Sequence, residues 1–320
     1  MNAIYFAKDT DPWKNLAVEE YLLDTIDTPT LYLWQNAKTV VIGRHQNVWA
    51  ECDLKELESF GGRLARRLSG GGAVYHDLGN INFTFLMPRA LYDQQRQNAV
   101  LLRAVQDVGI RAEATGRNDL LADGRKFSGH AFCLRERTAY HHGTLLLDVD
   151  VERMTRVLTV DASKLASKAV ASVRSRVVNL RELRPELTVE ALTESVCRAF
   201  CREYGEAESF DTGVLPQEDI ARLREKYASW DWRFGETPSF DVRMKTRFPW
   251  GGVEVCLNLR DARVERAAVY TDAMDTEFAQ RMENRLLGLP YDAAGIAEAF
   301  RGQEPALAEC GAWVASQVAG

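Results

Sequence analysis

Between Arg66 and Asn80 the chain reads Arg66-Arg67-Leu68-Ser69-Gly70-Gly71-Gly72-Ala73-Val74-Tyr75-His76-Asp77-Leu78-Gly79-Asn80. Three successive glycines let the main chain approach a ligand closely and turn its N–H groups toward an anion, and an arginine fork beside them can clamp phosphate oxygens. The spacing is neither that of a P-loop, which ends in Gly-Lys-Ser/Thr, nor that of the dinucleotide fingerprint. Composition alone leaves open a glycine-rich bulge with exposed arginines. A second cluster joins Gly116-Arg117-Asn118-Asp119 to Arg125-Lys126-Phe127-Ser128-Gly129-His130-Ala131. A lysine in such company can neutralise a carboxylate and a phosphate together, although Lys126 by itself reads as a solvated hairpin lysine. The third, Ser163-Lys164-Leu165-Ala166-Ser167-Lys168 with Ser172-Val173-Arg174-Ser175-Arg176, is basic and hydroxyl-rich, as exposed loops often are.

Other reactive residue types have structural readings. The six cysteines, Cys52, Cys133, Cys197, Cys201, Cys256 and Cys310, are scattered without zinc spacing and suit reduced thiols. Cys197 and Cys201 share a helix face and read as packing; Cys133 reads as a small hydrophobe. His141-His142 could bind metal or shuttle protons, but beside Gly143 the pair reads first as the ordering of a turn, or else as structural or pocket-lining.

The elements that must hold these clusters follow from periodicity. Asp11-Pro12 is an N-cap followed by proline at the first helical position, and Trp13, Leu16, Ala17 and Tyr21 recur at helical spacing. Residues 31–34 and 39–42 are β-rich and separated by Gln35-Asn36-Ala37-Lys38, which predicts a hairpin. After a charged helical stretch near 53–60 and a strand at 81–86, Leu101, Ala104, Val105 and Val108 mark a helix ended by Gly109. Asp123-Gly124 is a type I′ turn signal that sets Lys126 just past a hairpin, and an apolar strand follows at 144–149. Helical periodicity resumes at 189–204 and 220–230. Residues 234–239 form a candidate linker, followed by strands at 253–259 and 264–270 and by helix up to Trp313. Strands mixed irregularly with helices, without a βαβ rhythm, indicate an α+β fold.

The chain's 320 residues carry 40 Lys and Arg against 46 Asp and Glu, a net charge of −6, with 46% hydrophobic side chains. These proportions exclude disordered and fibrous classes, and the sign of the charge argues against nucleic acid as the main partner. No window approaches 18 uninterrupted apolar residues and the first residues lack a signal-peptide pattern, so the expectation is a cytoplasmic protein without a membrane partner.

Together the three clusters resemble, in order and with similar intervals, the motifs of the lipoate-protein ligase A family. The resemblance runs from Asp11-Pro12-Trp13 to Trp250-Gly251-Gly252-Val253-Glu254. It is carried by Leu33-Trp34-Gln35-Asn36, Val40-Val41-Ile42-Gly43-Arg44, the block from Arg66 to Asn80, Gly116-Arg117-Asn118-Asp119, Lys126 to Ala131, His141-His142-Gly143-Thr144-Leu145-Leu146 and Ser172-Val173-Arg174-Ser175-Arg176-Val177. It implies a mixed-sheet catalytic domain of the lipoate/biotin ligase type over residues 1–235, and a small α+β accessory domain over 241–320 that repositions between steps. It further implies activation of lipoate by Mg-ATP to lipoyl-AMP with release of pyrophosphate. The lipoyl group then passes to one lysine of a lipoyl domain, in 2-oxoacid dehydrogenase complexes or the glycine cleavage H protein.

Position by position, the resemblance makes Arg67 and the backbone of Gly72, Ala73, Val74 and Tyr75 the ATP-binding loop. Lys126 becomes the residue that touches both lipoate carboxylate and phosphate. Trp34 becomes the aromatic wall of the lipoate pocket, which suits a dithiolane on an alkyl chain. Asn118 and Asp119 match positions that help with metal or phosphate. Ala169 stands where many relatives have glycine after the lysine, which alters the loop expected to close over the adenylate. Two alternatives are an octanoyl or lipoyl transferase using a pre-activated donor, for which the matching loop should hold a nucleophilic cysteine, and an adenylate-sensing module, which should offer a basic helix-turn-helix. Residues 161–176 contain no cysteine, and no such helical segment is evident.

Overall fold

An eight-stranded mixed sheet organises the larger of two units in a computed structural model of the chain, which describes residues 1–115, 119–158, 176–234 and 241–318. The larger unit holds Met1–Ile42, Val48–Arg67 and Ala73–Arg233; the smaller holds Gly43–Asn47, Leu68–Gly72 and the chain from Phe234. The strands of the larger unit are β1 (Asn2–Phe6), β2 (Thr30–Trp34), β3 (Thr39–Ile42), β4 (Arg63–Arg66), β5 (Val74–His76), β6 (Asn80–Pro88), β7 (Ala112–Thr115), β8 (Asp119–Ala122), β9 (Arg125–Leu134), β10 (Thr138–Leu146) and β11 (Ala207–Asp211). Its main helices are α1 (Pro12–Thr25), α2 (Gln94–Asp107), α3 (Val189–Tyr204) and α4 (Gln217–Ala228). The large sheet has the order β11-β1-β2-β6-β10-β9-β8-β7, and a small second sheet has the order β4-β3-β5.

Local chemistry sets the helix ends. Asp11 caps α1 by accepting from the Trp13 N–H at 3.1 Å, with Pro12 in the first turn. Helix α2 stops before Gly109, whose φ of +84° glycine adopts at no steric penalty. One face of the large sheet is closed by α2 and α3. Phe83, Phe85, Leu31 and Leu145 pack there against Leu101, Ala104, Val196 and Phe200, all fully buried. On the other side α1 lies against β6 and β10 and against β4 of the small sheet.

The structure departs from the sequence expectation in the connection after β2 and in the course of β10, among other places. Residues 31–34 and 39–42 are both strands, but not a hairpin: β2 lies between β1 and β6, whereas β3 lies between β4 and β5 in the other sheet. Both are buried on every residue, so each needs neighbours on two sides and neither is bound to its neighbour in sequence. The intervening Asn36 is wholly buried, bonded to Asn15 at 3.0 Å and to His76 at 3.2 Å, and it ties the connection to α1 and β5. His141 and His142 do not order a turn. They lie in the middle of β10, where the ladders to β6 and β9 keep the chain extended from Thr138 to Leu146.

At Asp123-Gly124 the expected turn forms, with φ of +51° and +68°, and it joins β8 to β9. The smaller unit is a meander of β12 (Val242–Phe248), β13 (Gly251–Arg260) and β14 (Arg263–Thr271), with helices α5 (Phe278–Leu286), α6 (Ala293–Ala299) and α7 (Pro305–Val318) packed on one face. Strand β12 is absent from the sequence reading although it carries the period-2 signal of a half-buried strand, with Arg243, Lys245 and Arg247 on its exposed side between Val242, Met244 and Phe248. Of the candidate linker at 234–239, Phe234 ends the short helix Trp230–Phe234, and residues 235–239 lie outside the described residues.

Gly143 has a packing role. A methyl group there would stand 2.5 Å from the Gly129 carbonyl oxygen and 2.7 Å from Phe83 Cζ. Backbone and a fully buried ring cannot yield cheaply, so Gly143→Ala is expected to destabilise the chain by about 1–3 kcal/mol, read from the urea midpoint. An unchanged midpoint would show that the β9–β10 seam has room to spare.

Candidate active site

Trp34 ends β2 with only 5% of its surface exposed, and a chain of hydrogen bonds fixes its indole. Its Nε1 donates to Thr84 Oγ1 at 3.0 Å, and that hydroxyl donates to Glu19 Oε1 at 2.7 Å. The same oxygen accepts from His142 Nδ1 at 2.8 Å. Glu19 on α1 therefore orients one side chain from β6 and one from β10, and through Thr84 the tryptophan of β2. Tyr32 stacks on the indole with ring centroids 5.9 Å apart, and His76 meets it edge-on at 6.1 Å.

Arg67 follows β4 directly. Its N–H donates to the Ile42 carbonyl at 3.0 Å and its Nη1 to the Val41 carbonyl at 3.1 Å. The side chain is buried, not exposed as the bulge reading would have it, and desolvation pulls the guanidinium down to about 10 against the opposing pull of Tyr140 and Glu19. Val74, Tyr75 and His76 form β5. Asn36 donates to His76 Nδ1, and His76 Nε2 is buried with no partner among the described residues. Burial, with Arg67 and His142 nearby, drives His76 down to about 3. The imidazole is neutral, so Arg67 supplies the positive charge on this side.

Lys126 and Asp119 form a second group. The hairpin brings Lys126 Nζ to 2.7 Å from Asp119 Oδ1. Asn118 lies outside the described residues, as do Gly116, Arg117 and the third cluster up to Ser175, including Lys168 and Ala169. Gly72 is exposed, with nothing within 4 Å of a built methyl group. The two glycines before it are committed within the smaller unit. A methyl on Gly70 would collide with the Ala273 carbonyl, and Gly71, at φ +87°, donates to that same carbonyl at 3.3 Å. A cavity of about 350 Å³ opens next to Lys126's neighbour Arg125, lined also by Val149, Asp150, Val177, Asn179 and Glu182.

Glu19, Thr84 and His76 carry the first group, yet sequence reasoning assigned none of them a role. A signal for Glu19 was present: it lies three residues after Leu16, inside the apolar stripe of α1, where an unpaired carboxylate would be prohibitive. The thiols are remote from such chemistry. Burial pushes Cys133 up to about 12, helped by Glu19 and Glu20, and Cys52, Cys197, Cys256 and Cys310 also stand at about 12. Thiols so held are poor nucleophiles. Cys197 and Cys201 pack against the core of the larger unit.

The chain matches the lipoyl protein ligase A/B catalytic domain over residues 11–201 and the bacterial lipoate protein ligase C-terminus over residues 237–306. It belongs to the lipoyl protein ligase A/B family. Among solved structures, P. falciparum LipL1 in complex with lipoate is similar at a TM-score of 0.87 and 26% identity, over 99% of this chain and 100% of that one. A lipoate-protein ligase A bound with ATP shares the fold at 0.64 and 23% identity, covering 73% of this chain and 98% of that one. So does a bipartite lipoate protein ligase from Thermoplasma acidophilum, described with its E2 lipoyl domain, at 0.66 and 23% identity, covering 75% and 98%. The α+β fold with its large mixed sheet is that of this family's catalytic domain, followed by the ligase C-terminal domain. Among the described residues no helix is long and apolar enough to cross a membrane.

The chain's buried histidines make its stability depend on pH. Burial, with Lys126 and His142 near, holds His130 at about 3, and burial beside His130 and His142 holds His141 well below its usual value. With His76, three imidazoles stay neutral in the fold but take up protons near pH 6.5 once unfolded. The unfolded state then binds more protons below about 6.5. Stability should be full above that pH and fall as pH drops toward 3, by up to about 1.4 kcal/mol per pH unit for each histidine. Urea midpoints between pH 7 and pH 4.5 measure this. His130→Gln is expected to flatten the slope, and a pH-independent midpoint in the parent would contradict the assignment.

Proposed function

We propose that this family member is an ATP-dependent lipoate–protein ligase that forms lipoyl-AMP and transfers the lipoyl group to a lysine of a lipoyl domain. The observation that carries the choice within the A/B family is the second match, to a ligase C-terminus over residues 237–306. The chemistry of the thiols supports it: residues 161–176 contain no cysteine, and burial keeps Cys133 protonated, so a protein thioester lacks a nucleophile in that loop. The alternative of a transferase with a pre-activated donor is disfavoured on the same ground.

On this reading the lipoate chain lies along Trp34, whose indole the Glu19–Thr84 relay holds in place. Its carboxylate oxygen attacks the α-phosphorus of ATP, the bond to the bridging oxygen breaks, and pyrophosphate leaves. Two anions meet at that point, and a fixed ammonium at Lys126 stabilises the charge that develops. Arg67, with the backbone of Gly72 to Tyr75, would take the phosphates. The acceptor lysine then attacks the acyl carbon and AMP departs. Among the described residues no group of three His, Cys, Asp or Glu side chains could hold a metal ion, and Asn118 and Asp119 would stand beside magnesium or phosphate as the resemblance implies. Magnesium would enter with the nucleotide as Mg-ATP. Acceptors would be lipoyl domains of 2-oxoacid dehydrogenase complexes or the glycine cleavage H protein, in the cytoplasm. The catalytic region would span 1–235, with 241–320 as an accessory domain.

Intact-mass analysis of an apo lipoyl domain incubated with the chain, lipoate and Mg-ATP should reveal one lipoyl adduct. Lys126→Ala should retain the fold and lose lipoate-dependent pyrophosphate release by roughly a hundred- to a thousandfold, the usual loss for one preorganised contact of about 3 to 4 kcal/mol. Cys133→Ala should stay within a few-fold of the parent. An adduct that forms from a pre-activated donor but not from ATP, and is lost with Cys133, would replace the ligase reading by the transferase.

A further inference from the structure

Lys126 owes its position to an irregularity in β9. Along the β8–β9 ladder Leu120 faces Ser128 but Leu121 faces Lys126, so Phe127 is one residue too many for its partner strand. Such a bulge re-aims the side chains around it. The backbone hydrogen bonds of Lys126 run to the side away from β8: its N–H donates to the Arg176 carbonyl at 2.8 Å, and its carbonyl accepts from Val178 at 2.9 Å. The extra residue also shifts the alternation by one, which puts Lys126 in phase with Gly129.

Gly129 and Asp119 are direct cross-strand partners. The lysine stem crosses the surface that a side chain at 129 would occupy. A methyl group built there would lie 2.9 Å from both Cε and Nζ of Lys126, and among the described residues nothing else beyond its chain neighbours comes within 4 Å. The ammonium ends at Asp119 Oδ1, 2.7 Å away. Gly129 has no positive φ, so its backbone does not call for glycine. Nor does the ion pair serve stability, since the side chains of Lys126 and Asp119 are 38% and 42% exposed and pairs this open contribute little to folding.

We infer that Gly129 and Asp119 are positioning residues for the proposed catalytic lysine: the glycine leaves a bare track across the strand, and the carboxylate fixes the end of it. Lys126 retains two further N–H bonds for the carboxylate and phosphate of the reacting pair. The inference rests on the role proposed above for Lys126, and it deepens that role by naming what holds the ammonium still.

The decisive variant is Gly129→Ala, because the displaced atoms are the far end of a flexible side chain and the fold has no reason to change. Its urea midpoint should match the parent, while kcat for lipoate-dependent pyrophosphate release falls about a hundredfold, as for a misplacement of about 1 Å, with a smaller rise in KM for lipoate. Asp119→Asn should shift kcat in the same direction. In a Lys126→Ala background Gly129→Ala should cause no further loss, because both changes act through one ammonium. A readout independent of turnover is the side-chain NMR signal of the Lys126 ammonium in the full chain labelled with ¹⁵N-lysine. It should be resolved in the parent and exchange-broadened in Gly129→Ala and Asp119→Asn. A parent without lipoate-dependent activity, but with this NMR contrast, would remove the ligase reading and leave the positioning intact. An active parent whose two variants keep both kcat and the NMR signal would overturn the inference.

Discussion

A carboxylate shut away from water must be hydrogen-bonded from within, and Glu19 meets that demand in a way that organises its surroundings. One of its oxygens is shared by the Thr84 hydroxyl and the His142 ring. Helix α1 is thereby locked to β6 and β10, and Thr84 passes the constraint on to Trp34. Removing the carboxylate would leave those donors buried and unmet, which is worse than the loss of any single contact. The same negative charge helps to hold the buried Arg67 guanidinium. The aromatic wall and the phosphate-facing cation of the proposed site thus depend on one side chain that does no chemistry itself.

The strand β10 separates two environments within a single dipeptide. His142 turns toward Glu19 and the site, whereas His141 turns the other way, onto the core under α2 and α3, where it bonds Gln97 at 3.0 Å and packs against Phe83 and Phe85. His130 joins it there with ring centroids 4.6 Å apart. Polar rings tolerated in a dry core are neutral rings, so this side of the sheet carries little charge while the other concentrates it. The glycines divide in the same manner. Gly143 is small because backbone and Phe83 crowd it, and Gly70 because Ala273 does; Gly129 is small because a lysine needs the space. Only the last bears on the proposed chemistry.

Formation of a mixed anhydride with AMP asks for fixed cations and an enclosed acyl chain, and it asks nothing of a thiol. The side chains agree with that division. Cations are held in definite places by Val41 and Asp119, while the cysteines whose pKa is shifted lie packed and protonated. The distribution of held cations and inert sulfur is what favours the proposed adenylate route.

What the sequence by itself determined were features whose cause is local. The Asp11-Pro12 cap, the Gly109 stop, the Asp123-Gly124 turn and the helix at Val189–Tyr204 each follow from the φ preference, missing N–H or periodicity of a few neighbouring residues. The motif clusters likewise singled out Trp34, Arg67 and Lys126 as candidates, because residue type and order survive in a string. Tertiary structure alone decided what depends on a partner distant in the chain. It sent residues 31–34 and 39–42 to different sheets, since a strand buried on both faces is satisfied by whichever neighbours complete its ladders. It placed His141 and His142 in mid-strand, buried Arg67, and drew Glu19 from a helix face into the proposed site. It also put Lys126 in line with Gly129 and Asp119 through a one-residue bulge, because cross-strand register is a property of two strands together and is written in neither of them alone.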